Sequence, residues 1–319
     1  MRILVTGATG FVGTRVVSAL TDAGHEVVAV GGLRSSTQNS VDVASPTSVE
    51  TLRSIGGVDA IVHTASLAHR FAKVTEAEFR SVNVHGVENI ANLAAALGAR
   101  HFLLFSSTLV YGRRRDKTVV ITEDMECRPE GIYGRSKLDG EYAAQRVCEQ
   151  KSIDLTIFRA SPIVGEGSKG NFARLIEAID KRRFVMLGDG LNRKSLIYVG
   201  DVARAAVAVV ARGGDKTQVF NVTGEATTMR ELVRNIHESL GQKAVLPFAI
   251  PAGPAKFMID SAAKVLRHDR LSRISATLDT WLSADVYSKE KFETMYNFKS
   301  ETDIATAIKL ETAYYLRHK

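Results

Sequence analysis

Cysteine is scarce in this chain of 319 residues: Cys127 and Cys148 are the only two, and no metal-ligand spacing surrounds them. A disulfide framework and a cysteine-built metal site are therefore not expected, and a reducing compartment fits. Long apolar runs are missing too. None reaches the roughly 18 residues a membrane span needs, so no membrane insertion is expected. The opening MRILVTGATG enters a strand-and-glycine pattern at once, which leaves no room for a signal peptide and points to the cytoplasm. No internal repeat or low-complexity tract interrupts the chain. Basic residues outnumber acidic ones, giving a net charge of +7, but they are scattered. Without an aromatic-interleaved basic patch, nucleic acid is not expected as a partner. The local cluster GRRRDK (Gly112 to Lys117) reads as a solvated loop or as an anion contact.

What the chain does have is alternation. RILVTG reads as a buried strand and FVGTRVVSALTDAG as a helix closing at Gly24. EVVAV, DAIVHTA, HFLLFSS and DLTIFRAS are further apolar strands, separated by helix-length segments such as SVETLRSIG and VNVHGVENIANLAAALGA. Near-continuous apolar strands alternating with helices predict an α/β fold, a doubly wound parallel sheet covered on both faces. The pattern loosens after Gly165 and becomes mainly helical beyond about Thr223. The expected organisation is a dinucleotide-binding domain over 1–165, to which 190–222 returns, and a smaller helical C-terminal lobe over 166–189 and 223–319. The proline-bearing LPFAIPAGPAKFM is expected to cross the surface of that lobe.

VTGATGFVG places Gly7, Gly10 and Gly13 directly after a strand and at the opening of a helix. Glycines there permit a tight turn, and the helix N-terminus offers free N–H groups to a pyrophosphate. At the end of the second strand a carboxylate would bind the ribose 2′-hydroxyl of NAD, and an arginine would accommodate the 2′-phosphate of NADP. This chain has Gly31 there, followed by Arg34, which favours NADP over NAD. IYGRSK sets Tyr133 and Lys137 four residues apart, on one helix face. An ammonium beside a phenol should lower the phenol's pKa and make it usable for proton transfer.

Together with HTAS, SVNVHGVENI, SSTLVYG and RASPIVG, in this order and spacing, these motifs resemble the extended short-chain dehydrogenase/reductase family over roughly residues 1–222. The resemblance implies a Rossmann sheet and a homodimer. It also implies a catalytic set of Ser107 to polarise the sugar oxygen, Tyr133 as general acid/base, and Lys137 on the nicotinamide ribose. Gly7, Gly10, Phe11, Val12 and Gly13 would hold the cofactor, with Asp42 and Val43 near the adenine. Thr64, Ala65 and Asn83 would line or support the site, and Pro162 would approach the carboxamide. Substrate contacts would come from Ser107, Thr108 and Asn171, and from Arg193 or Lys194 at a diphosphate. Family dehydratases carry an Asp-Glu pair right after the Ser/Thr; Thr108 and Leu109 stand there and disfavour dehydration. The segment GSKGNFARLIEAID…GDGLNRKSLIYVGDVA is similar to a subgroup acting on UDP-N-acetylhexosamines in polysaccharide synthesis. Hydride movement at carbon 4 of a UDP-sugar follows, with a 4-keto reductase as the leading reading. A UDP-sugar 4-epimerase with bound NAD, or a non-catalytic dinucleotide-binding regulator, is the alternative.

Overall fold

The structure, a computed structural model, describes residues 1–33, 35, 37–68, 74–113, 118–243 and 282–319. Arg34, the Arg114–Lys117 part of the basic cluster and the LPFAIPAGPAKFM segment lie outside them. In chain order the strands are β1 (Arg2–Thr6), β2 (Glu26–Gly31), β3 (Asn39–Ser40), β4 (Ala60–His63), β5 (His101–Ser107) and β6 (Val120–Ile121). They continue with β7 (Asp154–Ala160), β8 (Ile163–Val164), β9 (Arg193–Ser195), β10 (Ile197–Tyr198), β11 (Thr217–Val222), β12 (Ala226–Thr228) and β13 (Val286–Tyr287). The helices used below are α1 (Phe11–Asp22), α2 (Pro46–Glu50), α3 (Glu76–Arg80), α4 (Gly86–Ala96), α5 (Ile132–Lys151), α6 (Asn171–Asp180), α7 (Val199–Arg212) and α8 (Met229–Ser239).

Seven strands form one parallel sheet in the order β11-β7-β5-β4-β1-β2-β3. The expected doubly wound Rossmann sheet is present. Strand alternation sends successive side chains of β1 to opposite faces. Leu4 packs with Ile61, Phe102 and residues of α4 and α5, including Ile90 and Val147. Ile3 and Val5 pack on the other face with Val16 and Leu20 of α1 and Val202 and Ala206 of α7. Both faces are dry, which explains apolar runs in place of strict alternation. The strand order reverses between β1 and β4. In open α/β sheets the crevice at such a point, beyond the carboxyl ends of the strands, is the ligand site.

SVETLRSIG does not fold as one α-helix. Ser45 caps the short α2, its Oγ accepting from the Ser48 N–H at 3.2 Å, and a 3₁₀ turn over Thr51–Ile55 follows. A third apolar cluster joins Phe172, Leu175 and Ile176 of α6 to Leu232 and Ile236 of α8 and to Ile304 and Ile308 of the C-terminal helix Ile304–His318. Phe292 and Phe298 instead pack with the sheet, Phe292 against Phe158 and Phe220. The stretch around them therefore returns to the central core. No helix among the described residues is long and apolar enough to cross a membrane.

Two histidines sit inside the sheet. His63 shares a 2.7 Å hydrogen bond with Thr6 Oγ1, and His101 a 2.9 Å bond with Thr156 Oγ1. Burial, helped by the nearby Lys137 charge, holds His63 down at about 3. Burial brings His101 to about 4, against the pull of Asp154. Both values are depressed from 6.5, so the unfolded chain binds more protons over this range. The stability they contribute is complete above about pH 6.5 and lost as pH falls towards 4 and 3. Glu311, raised to about 7 by burial, acts in the opposite direction between about 4.5 and 7. Two histidines outweigh one carboxyl. Melting temperature should fall steadily as buffers go from about pH 6.5 to 4, and His101→Gln should flatten part of that fall. Equal slopes for wild type and variant would remove His101 from the account.

Candidate active site

The glycine loop turns back sharply after β1. Gly7 has φ +69°, a conformation that L side chains rarely adopt, and a Cβ there would lie 2.6 Å from the backbone nitrogen of Ala65. A Cβ on Gly13 would lie 2.0 Å from the Gly7 carbonyl oxygen. The end of β4 presses on the loop from the far side, where the Thr64 N–H and Oγ1 both donate to the Thr6 carbonyl, at 3.2 and 2.7 Å. Phe11, Val12 and Gly13 form the first turn of α1, which has no side-chain cap and no acidic residue. Its N–H groups are thus left to an anion, and the helix dipole favours one. Backbone without side chains at the end of a 12-residue helix fits a dinucleotide pyrophosphate.

Beside it, a Cβ on Gly31 would meet Ser35 Oγ at 2.0 Å and Thr37 Oγ1 at 2.5 Å. Ser35, Thr37 and Ser40 hydroxyls bond one another at 2.7 to 3.2 Å, and the Gly31 N–H donates to Thr37 Oγ1 at 3.1 Å. Neutral hydroxyls occupy the space where a carboxylate would project. Asp42 is exposed and braces its own turn, accepting from the Ala44 N–H at 3.0 Å. Val43 is buried, and its carbonyl accepts from Asn89 Nδ2 at 2.9 Å. Pro162 is exposed just beyond β7.

Ser107 ends β5, and its Oγ accepts from the Leu109 N–H at 3.2 Å, which caps the turn Thr108–Tyr111. Tyr133 lies in the first turn of α5, next to that turn, because Gly134 allows close approach. A Cβ on Gly134 would sit 2.8 Å from the Leu109 carbonyl oxygen. The Ser66 and Ser107 hydroxyls lie near enough to the Tyr133 phenol to favour its ionised form. Asn83 lies within a π-turn over Ser81–His85 and is 1% exposed. Its Oδ1 accepts from Ser66 Oγ at 3.0 Å and the Leu67 N–H at 2.8 Å, and its Nδ2 donates to Ser136 Oγ at 3.0 Å. Asn83 thereby ties the loop after β4 to α5.

The electrostatics differ from the sequence expectation in one respect. Burial pushes the Tyr133 phenol up to about 12, while the two serine hydroxyls pull it down. The Lys137 ammonium, which was expected to lower the phenol, donates instead to the Phe105 carbonyl of β5 at 2.6 Å. Burial brings Lys137 itself to about 8, opposed by Glu141 one turn further on. Glu141 is 3% exposed and takes a two-pronged contact from Arg159, at 2.8 and 3.1 Å. Ser106 also donates to Glu141. Arg159 Nη1 donates to the Tyr111 hydroxyl at 3.1 Å, which donates to Asn221 Oδ1 at 2.7 Å. Neighbouring serines therefore face opposite ways, Ser106 into this buried network and Ser107 towards Tyr133.

Sequence reading missed Ser66, Glu141 and Arg159. Glu141 continues the Tyr133–Lys137 stripe by one more turn, and Arg159 is a cation inside an apolar strand; both signals were there to use. The expected substrate residues differ in exposure and pairing. Thr108 is 1% exposed, and Leu109, at 54%, takes the open position beside Tyr133. Asn171 is half-buried at the start of α6. Lys194 is buried and pairs with Asp285 and Ser283, both at 3.0 Å, so its charge is already matched; Arg193, next to it, is exposed.

Ser107→Ala should lower turnover by roughly 10²-fold with little change in melting temperature, the usual scale for losing one donor at a developing oxyanion. Ser106→Ala should do the reverse, lowering stability by about 1–3 kcal/mol because Glu141 loses a buried donor. Paired melts and rate measurements separate the two, and a catalytic loss from Ser106→Ala at unchanged stability would contradict the assignment.

Among curated proteins, the chain is 30% identical to a UDP-glucose 4-epimerase of Vibrio cholerae over 255 residues, covering 73% of this chain and 74% of the relative. It is 28% identical to an N-acetyl-alpha-D-glucosaminyl-diphospho-ditrans,octacis-undecaprenol 4-epimerase of Escherichia coli O157:H7, covering 76% of this chain and 73% of that protein. Its fold matches the UDP-glucose 4-epimerase of Thermotoga maritima solved with UDP-glucose. That match has a TM-score of 0.78 at 21% identity and covers 100% of this chain and 99% of the other. The enzyme WbmG of Bordetella bronchiseptica, solved with NAD, superposes with a TM-score of 0.75 at 20% identity over 100% of this chain and 94% of its own. The model of one family matches residues 3–223, a stretch that contains the glycine loop, both serines and the Tyr133–Lys137 pair. The chain belongs to the NAD dependent epimerase/dehydratase family.

Proposed function

We propose that this protein is a UDP-sugar 4-epimerase that works with retained NAD. One observation carries the reading: Tyr133 is flanked by Ser107 at the end of β5, beside an apolar, exposed Leu109. That arrangement can move a proton on and off one sugar oxygen. It offers no carboxyl group at Thr108 or Leu109 for the proton abstraction of a dehydration. Bound nicotinamide would supply the hydride acceptor and donor at carbon 4. Tyr133 takes the proton from O4 as the hydride leaves carbon 4 and returns it when hydride comes back to the opposite face. Ser107 donates to O4 throughout. Lys137, hydrogen-bonded to the Phe105 carbonyl in the free protein, would hold the nicotinamide ribose. The relatives named above include two 4-epimerases, which supports an epimerase over a reductase.

The lobe of residues 166–189 and 223–319 would hold the sugar nucleotide, with Asn171 and Arg193 at its diphosphate. Lys194 is the weaker candidate because Asp285 already balances it. A 4-keto reductase using NADP is the second reading. It draws on the absence of a carboxylate at Gly31, and the hydroxyls of Ser35 and Thr37 there neither repel a 2′-phosphate nor neutralise it. The purified protein, incubated with UDP-glucose and UDP-N-acetylglucosamine without added cofactor, should give the carbon-4 epimer of one of them. Mass spectrometry should find NAD in the starting protein. Product that forms only with stoichiometric NADPH would replace the epimerase by the reductase.

A further inference from the structure

We propose that Glu311 of the C-terminal helix is a positioning residue for the sugar nucleotide: its carboxylate fixes the loop 165–170 and thereby the angle at which α6 presents Asn171. The inference rests on the reading above that places Asn171 at the diphosphate. Glu311 is 2% exposed, and both its oxygens are used. Oε2 accepts from the Gly165 N–H at 2.9 Å, and Oε1 accepts from Ser168 Oγ. These two partners are the ends of one turn, in which the Ser168 N–H donates to the Gly165 carbonyl at 3.0 Å. The loop has little rigidity of its own. Gly165, Gly167 and Gly170 are three of its six residues, and the first two have φ +141° and +89°. Whatever ties the loop down therefore decides where α6 begins.

Glu166 gives the loop a second tie. It accepts from the Tyr198 hydroxyl at 3.0 Å and lies 3.6 Å from Arg15 of α1. All three are half-buried, where water weakens such contacts, so Glu311 is the dry tie. The far end of α6 is held from the same helix. Asp180, its last residue, accepts from the Tyr315 hydroxyl at 2.9 Å and from Lys319 Nζ at 3.1 Å. Positions 311, 315 and 319 step by four, so one stripe reaches from the entry of α6 to its end. Ile304 and Ile308 add apolar packing in the cluster with Phe172, Leu175 and Ile176. Apolar contact is non-directional, whereas hydrogen bonds fix an angle. Without Glu311, α6 would sample several angles. Affinity for the nucleotide would then fall by the fraction of molecules in which Asn171 is in place.

The test is a calorimetric titration of UDP, the part common to both UDP-sugars, into the purified full chain. It is run at about pH 8, where Glu311, raised to about 7 by burial, is ionised. Glu311→Met removes both acceptors. The Kd for UDP should rise about tenfold, the affinity equivalent of one lost hydrogen bond to a charged group. Binding stoichiometry, and any NAD the protein retains, should stay as in the wild type. Glu311→Gln keeps an acceptor for the Gly165 N–H and should recover most of the affinity. A merely structural glutamate gives the opposite split. Fewer molecules fold, so the stoichiometry falls, and those that fold bind at the wild-type Kd; that result overturns the proposal. Should Glu311→Met not fold, Tyr315→Phe with Lys319→Ala frees the far end of α6 without removing a buried group, and an unchanged Kd there has the same force. A wild type that binds no UDP also overturns it. A wild type that binds UDP but converts neither UDP-sugar counts against the epimerase reading and leaves the Glu311 result standing.

Discussion

Tyr133→Phe should lower turnover by roughly 10²- to 10⁴-fold, the range for losing a general acid/base. The ring stays in place, so its edge contact with Phe79 at 6.1 Å between centroids is kept and melting temperature should barely move. Cofactor affinity should also be nearly unchanged, because the glycine loop and α1 lie apart from the phenol oxygen. The residual rate should lose its dependence on the tyrosine ionisation. In the wild type, oxidation of the sugar needs the phenolate, so rate should climb with pH up to the point where Tyr133 ionises in the complex. Burial, partly offset by Ser66 and Ser107, holds that point at about 12 in the free protein. The positive charge of an oxidised nicotinamide, when bound, would bring it down. Turnover within a few-fold of wild type would remove Tyr133 from the mechanism.

Glu141→Ala is expected to destabilise the fold by about 3–5 kcal/mol, the scale for breaking a buried ion pair and leaving its partner charged. Arg159, at 8% exposure, would keep its guanidinium with only Tyr111 and a peripheral carbonyl to face. Melting temperature should drop by on the order of 10 °C. Activity should fall further than stability explains. Glu141 joins Ser106 of β5 to α5, and these two elements carry Ser107 and Tyr133. Loosening the joint lets the hydroxyl and phenol drift apart, and an error of about 1 Å in such a pair can cost about 10²-fold. Glu141→Gln with Arg159→Met, which removes both charges, should recover most of the stability but not Lys137's full charge, since Glu141 supports it. Thermal melts of the three proteins decide. A Glu141→Ala protein that melts with the wild type would mean the pair contributes nothing net.

Periodicity was enough for the sheet. Apolar runs such as ILV after Arg2 and FLLF after His101 are legible because a parallel strand buried on both faces has no polar side to show. The glycine loop was legible for a related reason. Gly13 answers to the Gly7 carbonyl six residues away, and Gly7 to its own φ of +69°, so both demands are local and a side chain fits neither position. The four-residue step from Tyr133 to Lys137 is likewise local, since the helix alone puts them on one face. What the sequence could not determine is every relation that crosses strands. The family resemblance names Ser107, but why Ser106 turns away is tertiary: its hydroxyl meets Glu141, which Arg159, 18 residues further on, holds in place. Between Arg193 and Lys194 the sequence leaves the diphosphate contact open, and the pairing of Lys194 with Asp285, 91 residues away, is a tertiary fact. The direction of the Tyr133 shift came out opposite to expectation for the same reason. Desolvation depends on the whole surrounding shell, and a pairwise Tyr–Lys spacing carries no information about that shell.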